Sequence, residues 1–267
     1  MEDFLDDNYK IFLGFYSALS RTKSSARVVY FKVIEGQTQY FLNNQFGITK
    51  IEREKTIKLL DDAMHKFYLG AYALEQLWGV QNYLKIANNG TPSSFNENLT
   101  YQQNELTFLL ASIFDQVLFC WRSFLDYYLK YLLYFLTGDY QLTMSTKKFR
   151  DSIAQYKNRN PEDKKLIQIE KYIREKVLSN TYGEKYHSWG DLLRSLRDKT
   201  AHQKLIVPTI LEQSNNQGLT ISWPTIRGIN YSELAQLEFE NKCFDLLREL
   251  FPLLYEFDWV AGEVATV

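Results

Sequence analysis

The chain is poor in the residues from which disulfide frameworks and metal centres are built. Only two cysteines, Cys120 and Cys243, and three histidines, His65, His187 and His202, occur in 267 residues. Both cysteines stand in apolar stretches of helical character, where an unpaired thiol behaves as a small buried hydrophobe. Two such residues build neither a disulfide scaffold nor a zinc site. No cofactor and no metal-ligand cluster is implied. An excess of charge is missing too: 31 Lys and Arg against 32 Asp and Glu leave a net charge of -1, which excludes a chain-wide polybasic nucleic-acid binder and an acidic tail. The opening run Met1-Glu2-Asp3-Phe4-Leu5-Asp6-Asp7 is acidic where a secretory signal is basic, and no cleavage pattern follows it. A cytoplasmic protein is the expectation.

A long uninterrupted apolar run is also lacking. The best candidate, Val117 to Leu136, carries Arg122, Asp126 and Lys130. These lie four residues apart and so form one polar line on an otherwise apolar helix, each neighbouring pair within reach. That pattern fits a core helix better than a membrane span.

What is present is core material: 45% of residues are hydrophobic and 16% aromatic, enough for a packed interior. Apolar positions Leu60, Ala63, Met64, Phe67, Ala71, Leu74 and Trp78 recur at three- and four-residue steps and predict a long helix from Ile51 to Leu84. Asn88 to Asn104, rich in Asn, Ser and Gln, reads as a loop. Leu106 to Leu136 is a second long helix, stopped by Thr137-Gly138. Shorter basic helices follow at Phe149 to Tyr156 and Asp163 to Leu178, then a break at Gly183 to Ser188. A further helix places Trp189, Leu192, Leu193, Leu196 and Thr200 on its inner side. Lys204 to Leu211 and Leu219 to Ile226 flank a polar turn and predict a β-hairpin. Tyr231 to Phe257 closes as an acidic helix. Near the N-terminus a short helix is expected at Tyr9 to Leu19, and a β element at Val28 to Ile34 and Thr38 to Leu42 around Glu35-Gly36. The fold class expected is therefore mainly α, with residues 1–50 an extension packed on a helical domain at 51–267.

Charge is unevenly spread. Ser145 to Lys204 holds 15 Lys and Arg against 8 Asp and Glu, so the rest holds 16 against 24. Within this basic part, one amphipathic helix ends on Arg197-Asp198-Lys199-Thr200-Ala201-His202. Arginine suits phosphate because its planar fork donates two parallel hydrogen bonds to the oxyanion, and histidine moves protons near neutral pH. Together they suit RNA cleavage, in which a base takes the 2′-hydroxyl proton, an acid supplies the leaving 5′-oxygen and a cation holds the phosphate. Five residues turn an ideal helix by about 140°, so Arg197 and His202 do not share a face. Arg194, Asp198 and His202 do, which predicts that Asp198 accepts a hydrogen bond from His202 while Arg194 tempers the acid.

The run Arg197-Asp198-x3-His202, set in Trp189-x2-Leu192-Leu193-x2-Leu196, resembles the HEPN superfamily, as does the preceding Phe124-Leu125-Asp126-Tyr127-Tyr128-Leu129. The specific part spans about twenty residues. The resemblance implies a HEPN-like helical bundle and a homodimer that brings two Arg-His pairs to one cleft. It further implies a metal-independent endoribonuclease in prokaryotic defence or a toxin–antitoxin pair, with RNA as substrate and an antitoxin or regulatory protein as partner. The alternative is a non-catalytic module of the same type that binds RNA, a nucleotide or a protein. Arg197, Asp198 and His202 are the candidate catalytic residues. Asp126, Arg194 and Arg122 are candidate supports, and Lys199, Lys204 and Lys185 candidate RNA contacts. Some members of the superfamily carry a modifiable tyrosine two residues after the histidine, where this chain has Lys204.

Each residue also has a plainer reading. A cation at a helix C-terminus is favoured by the macrodipole. Asp198 is equally able to pair with Arg194 on the surface, and Asp126 to serve only the polar line. His65 stands beside Asp61 and Asp62 on a polar face and reads as solvated.

Overall fold

Two helices of nearly forty residues frame the molecule. In the computed structural model, which describes residues 26, 29, 32–37, 39–41, 50–87, 99–140, 146–178, 188–202, 205–212, 219–226 and 229–255, they are α1 (Lys50–Ala87) and α2 (Leu99–Thr137). They pack along one another. The heptad-like spacing in α1 explains why: Leu60, Ala63, Met64, Phe67, Ala71 and Leu74 form one face, and all are buried. Trp78, expected on that face, is 37% exposed, and Leu77 takes the buried position. On the other side Phe67 meets Trp121 and Phe124 of α2 edge to face, with ring centroids 5.5 and 5.4 Å apart. Burying each such ring contributes roughly 1.5–3 kcal/mol over leaving it in water. Helix α2 ends as its sequence requires, because Gly138 adopts φ 71 and its N–H donates to the Tyr134 carbonyl.

By length and composition the stretch Asn104–Thr137 could cross a membrane, its most apolar 18-residue window having a mean hydropathy of 1.4. Half of that apolar window is covered by the rest of the protein. The run from Leu99 to Asn104, read as the tail of a loop, is the first turn of α2 instead. The polar line is realised in its first pair, Arg122 and Asp126. Lys130 turns to Tyr140, donating to its hydroxyl at 3.5 Å.

The smaller helices α3 (Thr146–Arg159) and α4 (Lys164–Tyr172) are joined by an ion pair between Lys157 and Glu170 at 3.2 Å. Asp163 caps α4, its carboxylate accepting from the Leu166 N–H at 2.9 Å. A π-helical turn, Ile173–Val177, extends α4 towards α5 (Trp189–His202). Two short antiparallel pairs follow. Strands β1 (Thr209–Glu212) and β2 (Leu219–Ser222) place Ile210 opposite Ile221, which is the expected hairpin with shorter strands. Strand β3 (Thr225–Ile226), which the hairpin reading took as the end of its second strand, instead forms a second pair with β4 (Ile229–Asn230), just beyond that stretch. The chain then closes with α6 (Tyr231–Leu234), a π segment Ala235–Glu240 and α7 (Asn241–Tyr255).

The N-terminal β element is overturned. Every described residue between 26 and 41 is helical, and Ala26, Val29, Val33, Gln37 and Phe41 are buried at three- and four-residue steps. Glu35-Gly36 is therefore no turn. A Cβ on Gly36 would run into the Phe251 ring, so glycine is there for close approach of this segment to α7. Ala26, Val29 and Val33 belong to the same core cluster as α1, α2 and α7. The helix expected at Tyr9 to Leu19 lies outside the described residues.

Candidate functional site

The motif helix is fixed at its start by a reciprocal cap. Ser188 Oγ donates to Asp191 Oδ2 at 3.0 Å, and the Asp191 N–H donates back to Ser188 Oγ at 3.4 Å. The next constraint is Gly190, where a Cβ would sit 2.5 Å from the Val177 carbonyl oxygen at the end of the π turn. Trp189, Leu192, Leu193, Leu196 and Thr200 then form the buried side of α5, as expected. This face lies on α2, which carries Arg122 and Asp126.

Arg122 Nη2 and Asp126 Oδ1 are 2.8 Å apart, with side chains 12% and 31% exposed. Burial pushes the Asp126 carboxyl up to about 6; the Arg122 guanidinium opposes that most, then Arg197 and Arg194, while Asp198 adds to the rise. Asp126, Arg194, Asp198 and Arg197 in turn act on Arg122, whose guanidinium pKa is lowered first by burial and supported most by Asp126. Three arginines and two aspartates from α2 and α5 therefore share one electrostatic neighbourhood. Arg122 Nη1 is buried within it and has no hydrogen-bond partner among the described residues.

The pairing inside α5 differs from the expectation. Asp198 meets Arg197, with Oδ1 3.4 Å from Nη1, and among the described residues no hydrogen bond joins Asp198 to His202. Arg194 instead lies 3.5 Å from Asp191, the capping carboxylate one turn back. A buried Asp191 competes better for Arg194 than Asp198, which is 52% exposed and solvated. Arg197 is one-third exposed, its carbonyl accepts from Thr200 Oγ1 at 2.9 Å, and His202 stands exposed on the last turn. Lys199 is exposed beside them, whereas Lys185, Lys204 and His187 lie outside the described residues. His65 is exposed on α1, as expected of a solvated side chain.

Two buried carboxyls, one on this helix and one on a segment that touches it, were missed in the sequence. Asp191 was announced by Ser188-x2-Asp191, a capping signature just before an apolar run. Glu240 had no such signal. It is 7% exposed at the end of a π segment that touches α5, and burial pushes its carboxyl up to about 7.

Chemically, the site offers a partly exposed guanidinium paired with Asp198, in the field of Asp126 and of two further arginines, with an exposed imidazole at the helix end. One chain supplies one imidazole. Comparison with protein-family models, with curated proteins and with solved structures finds no match to this chain.

Proposed function

We propose that the protein is a HEPN-type, metal-independent endoribonuclease that acts as a homodimer. The observation that carries this reading is the convergence of Arg197 and Asp198, from the motif helix, with the Arg122–Asp126 pair of α2 in one shared field. A guanidinium cluster of net positive charge suits a phosphodiester that gains charge in its transition state.

In the proposed reaction Arg197 clamps the scissile phosphate. His202 of one chain takes the 2′-hydroxyl proton, and the 2′-oxygen attacks phosphorus. The bond to the 5′-oxygen breaks as the imidazolium of the second chain protonates it. The products are a 2′,3′-cyclic phosphate and a 5′-hydroxyl, with no net gain or loss of protons. Asp198 serves by fixing Arg197 rather than His202, and Asp126 adds a second negative charge behind that arginine. Lys199 extends the positive surface towards neighbouring phosphates. Such an enzyme fits the cytoplasm of a prokaryote as a defence or toxin component, restrained by an antitoxin or other regulatory protein.

The test is to incubate RNA in EDTA with the purified protein, Arg197→Ala and His202→Ala, and to map the new ends. The protein itself should leave 2′,3′-cyclic phosphates, and each variant should lose at least a hundredfold in rate. Equal cleavage by all three would remove the site assignment. RNA binding without cleavage by the unaltered protein would favour the non-catalytic module.

A further inference from the structure

Seven large apolar side chains stand exposed among the described residues, and four of them, Phe108, Leu109, Phe119 and Tyr127, belong to α2. Scattered singly such residues need no explanation, but a row of them along one helix marks a contact surface. Phe108 is 62% exposed and Phe119 48%, on a helix whose opposite side lies in the core. The open stripe of α2 runs through Glu105, Phe108, Ser112, Gln116, Phe119, Ser123, Tyr127 and Lys130, each exposed or partly exposed, within an arc of about 100° on an ideal helix. Along one edge it borders the Arg122–Asp126 pair, whose opposite charges already meet.

The steps along the stripe are three, four, four, three, four, four and three residues, a series that reads the same in either direction. Such a surface maps onto itself when a second copy is laid antiparallel across it, which is what a two-fold interface requires. With the axis at the level of Val117 and Leu118, Ser112 stands opposite Ser123 of the other copy, and these small side chains let the helices approach closely. Glu105 stands opposite Lys130, so that unlike charges meet at both ends. Phe108 comes level with Tyr127, and Phe119 meets its own copy beside the axis, where aromatic pairs add to burial. A two-fold axis in the interface plane keeps the same flank of both helices on the same side. Arg122 projects from the flank that faces the arginines of α5. Both motif helices therefore lie on one side of the pair, with the two Arg122 positions about 14 Å apart along the helix axes. We infer that this stripe is the homodimer interface, packed antiparallel on the same stripe of a second copy. The interface deepens the two-chain nuclease reading, and rests on it only for the use made of the shared cleft.

The experiment is disulfide cross-linking of the full chain, in which Ser112→Cys chains are mixed with Ser123→Cys chains and oxidised. The native thiols, Cys120 and Cys243, are buried. A covalent dimer is expected from the mixture and from neither variant alone, because like positions lie about 16 Å apart along the axes, beyond the reach of a disulfide. Phe119→Ser, at an exposed position, should weaken the dimer roughly tenfold in sedimentation with its helical circular dichroism intact. Glu105→Lys should weaken it severalfold, and Lys130→Glu in the same chain should restore it. A monomeric natural protein, or equal cross-linking by one cysteine variant alone, would overturn the interface. A dimer indifferent to Phe119→Ser uses another face, which overturns the interface and leaves the nuclease reading standing. A dimer cross-linked as expected that leaves RNA intact upholds the interface and removes the nuclease reading.

Discussion

Glu240 and Asp126 are carboxyls that folding makes harder to ionise, and each carries its own pH signature. For Glu240 the cause is burial alone, which raises it from the ordinary 4.5 to about 7. Its contribution to stability is therefore whole below pH 4.5 and is lost as pH rises through 7. Glu240→Gln should match the natural protein at pH 4.5 and exceed it at pH 8, by as much as about 3 kcal/mol, in urea unfolding midpoints at the two pH values. A gap that shrinks on going to pH 8 would contradict the burial argument. Asp126 behaves differently because Arg122 stands against it. Arg122→Ala leaves a half-buried carboxylate uncompensated and should cost about 1–3 kcal/mol, whereas Arg122→Met with Asp126→Leu should recover most of that. Non-additivity of the two sites, measured as a double-mutant cycle, is the readout. The Arg122–Asp126 pair was legible in the sequence because spacing of four on one helix fixes neighbours. The partner of Asp198 was not, since spacing shows which groups are within reach but not which competitor, here Asp191 for Arg194, is better shielded from water.

Among the elements, α5 is the one whose position decides the site, and it is set by a backbone contact. Gly190→Ala drives a methyl against the Val177 carbonyl, and backbone cannot give way as a flexible side chain does. The variant should lose about 1–3 kcal/mol of stability, by chemical denaturation, and should lose RNA cleavage at temperatures where it remains folded. Unchanged activity in a destabilised Gly190→Ala would detach the site from the seating of this helix. The start and the buried side of α5 were readable, because the break at Gly183 to Ser188 and the apolar periodicity after it mark them. The segment at 26–41 was misread for a definite reason. Val28, Val29 and Val33 with Tyr30 and Phe31 have strand propensity, and Gly36 looks like a turn, but burial against α7 outweighs both. The second strand pair, β3 with β4, is two residues on each side and leaves too short a pattern to read.

For the whole molecule, the proposed chemistry requires two copies, because a single chain brings one motif imidazole. Sedimentation equilibrium should give a particle of two 31.6 kDa chains. Mixing Arg197→Ala with His202→Ala chains should restore no more than a fraction of the activity, since every mixed dimer keeps only one intact arginine and one intact histidine. A strictly monomeric protein that cleaves RNA at full rate would refute the two-chain mechanism. The mainly helical architecture was legible as a whole, because long three- and four-residue periodicities survive any local error.

The contact between Gly36 and Phe251 bears on how the protein is made. The N-terminal helical segment has its ring partner on α7, and Tyr131, near the C-terminal end of α2, shares a hydroxyl–hydroxyl hydrogen bond with Tyr255. Neither can be completed on the ribosome until residues 251–255 have emerged from the exit tunnel. The α1–α2 pair is able to form early, yet the apolar face of the N-terminal segment must wait through the synthesis of more than two hundred further residues, a period in which a nascent chain depends on chaperones.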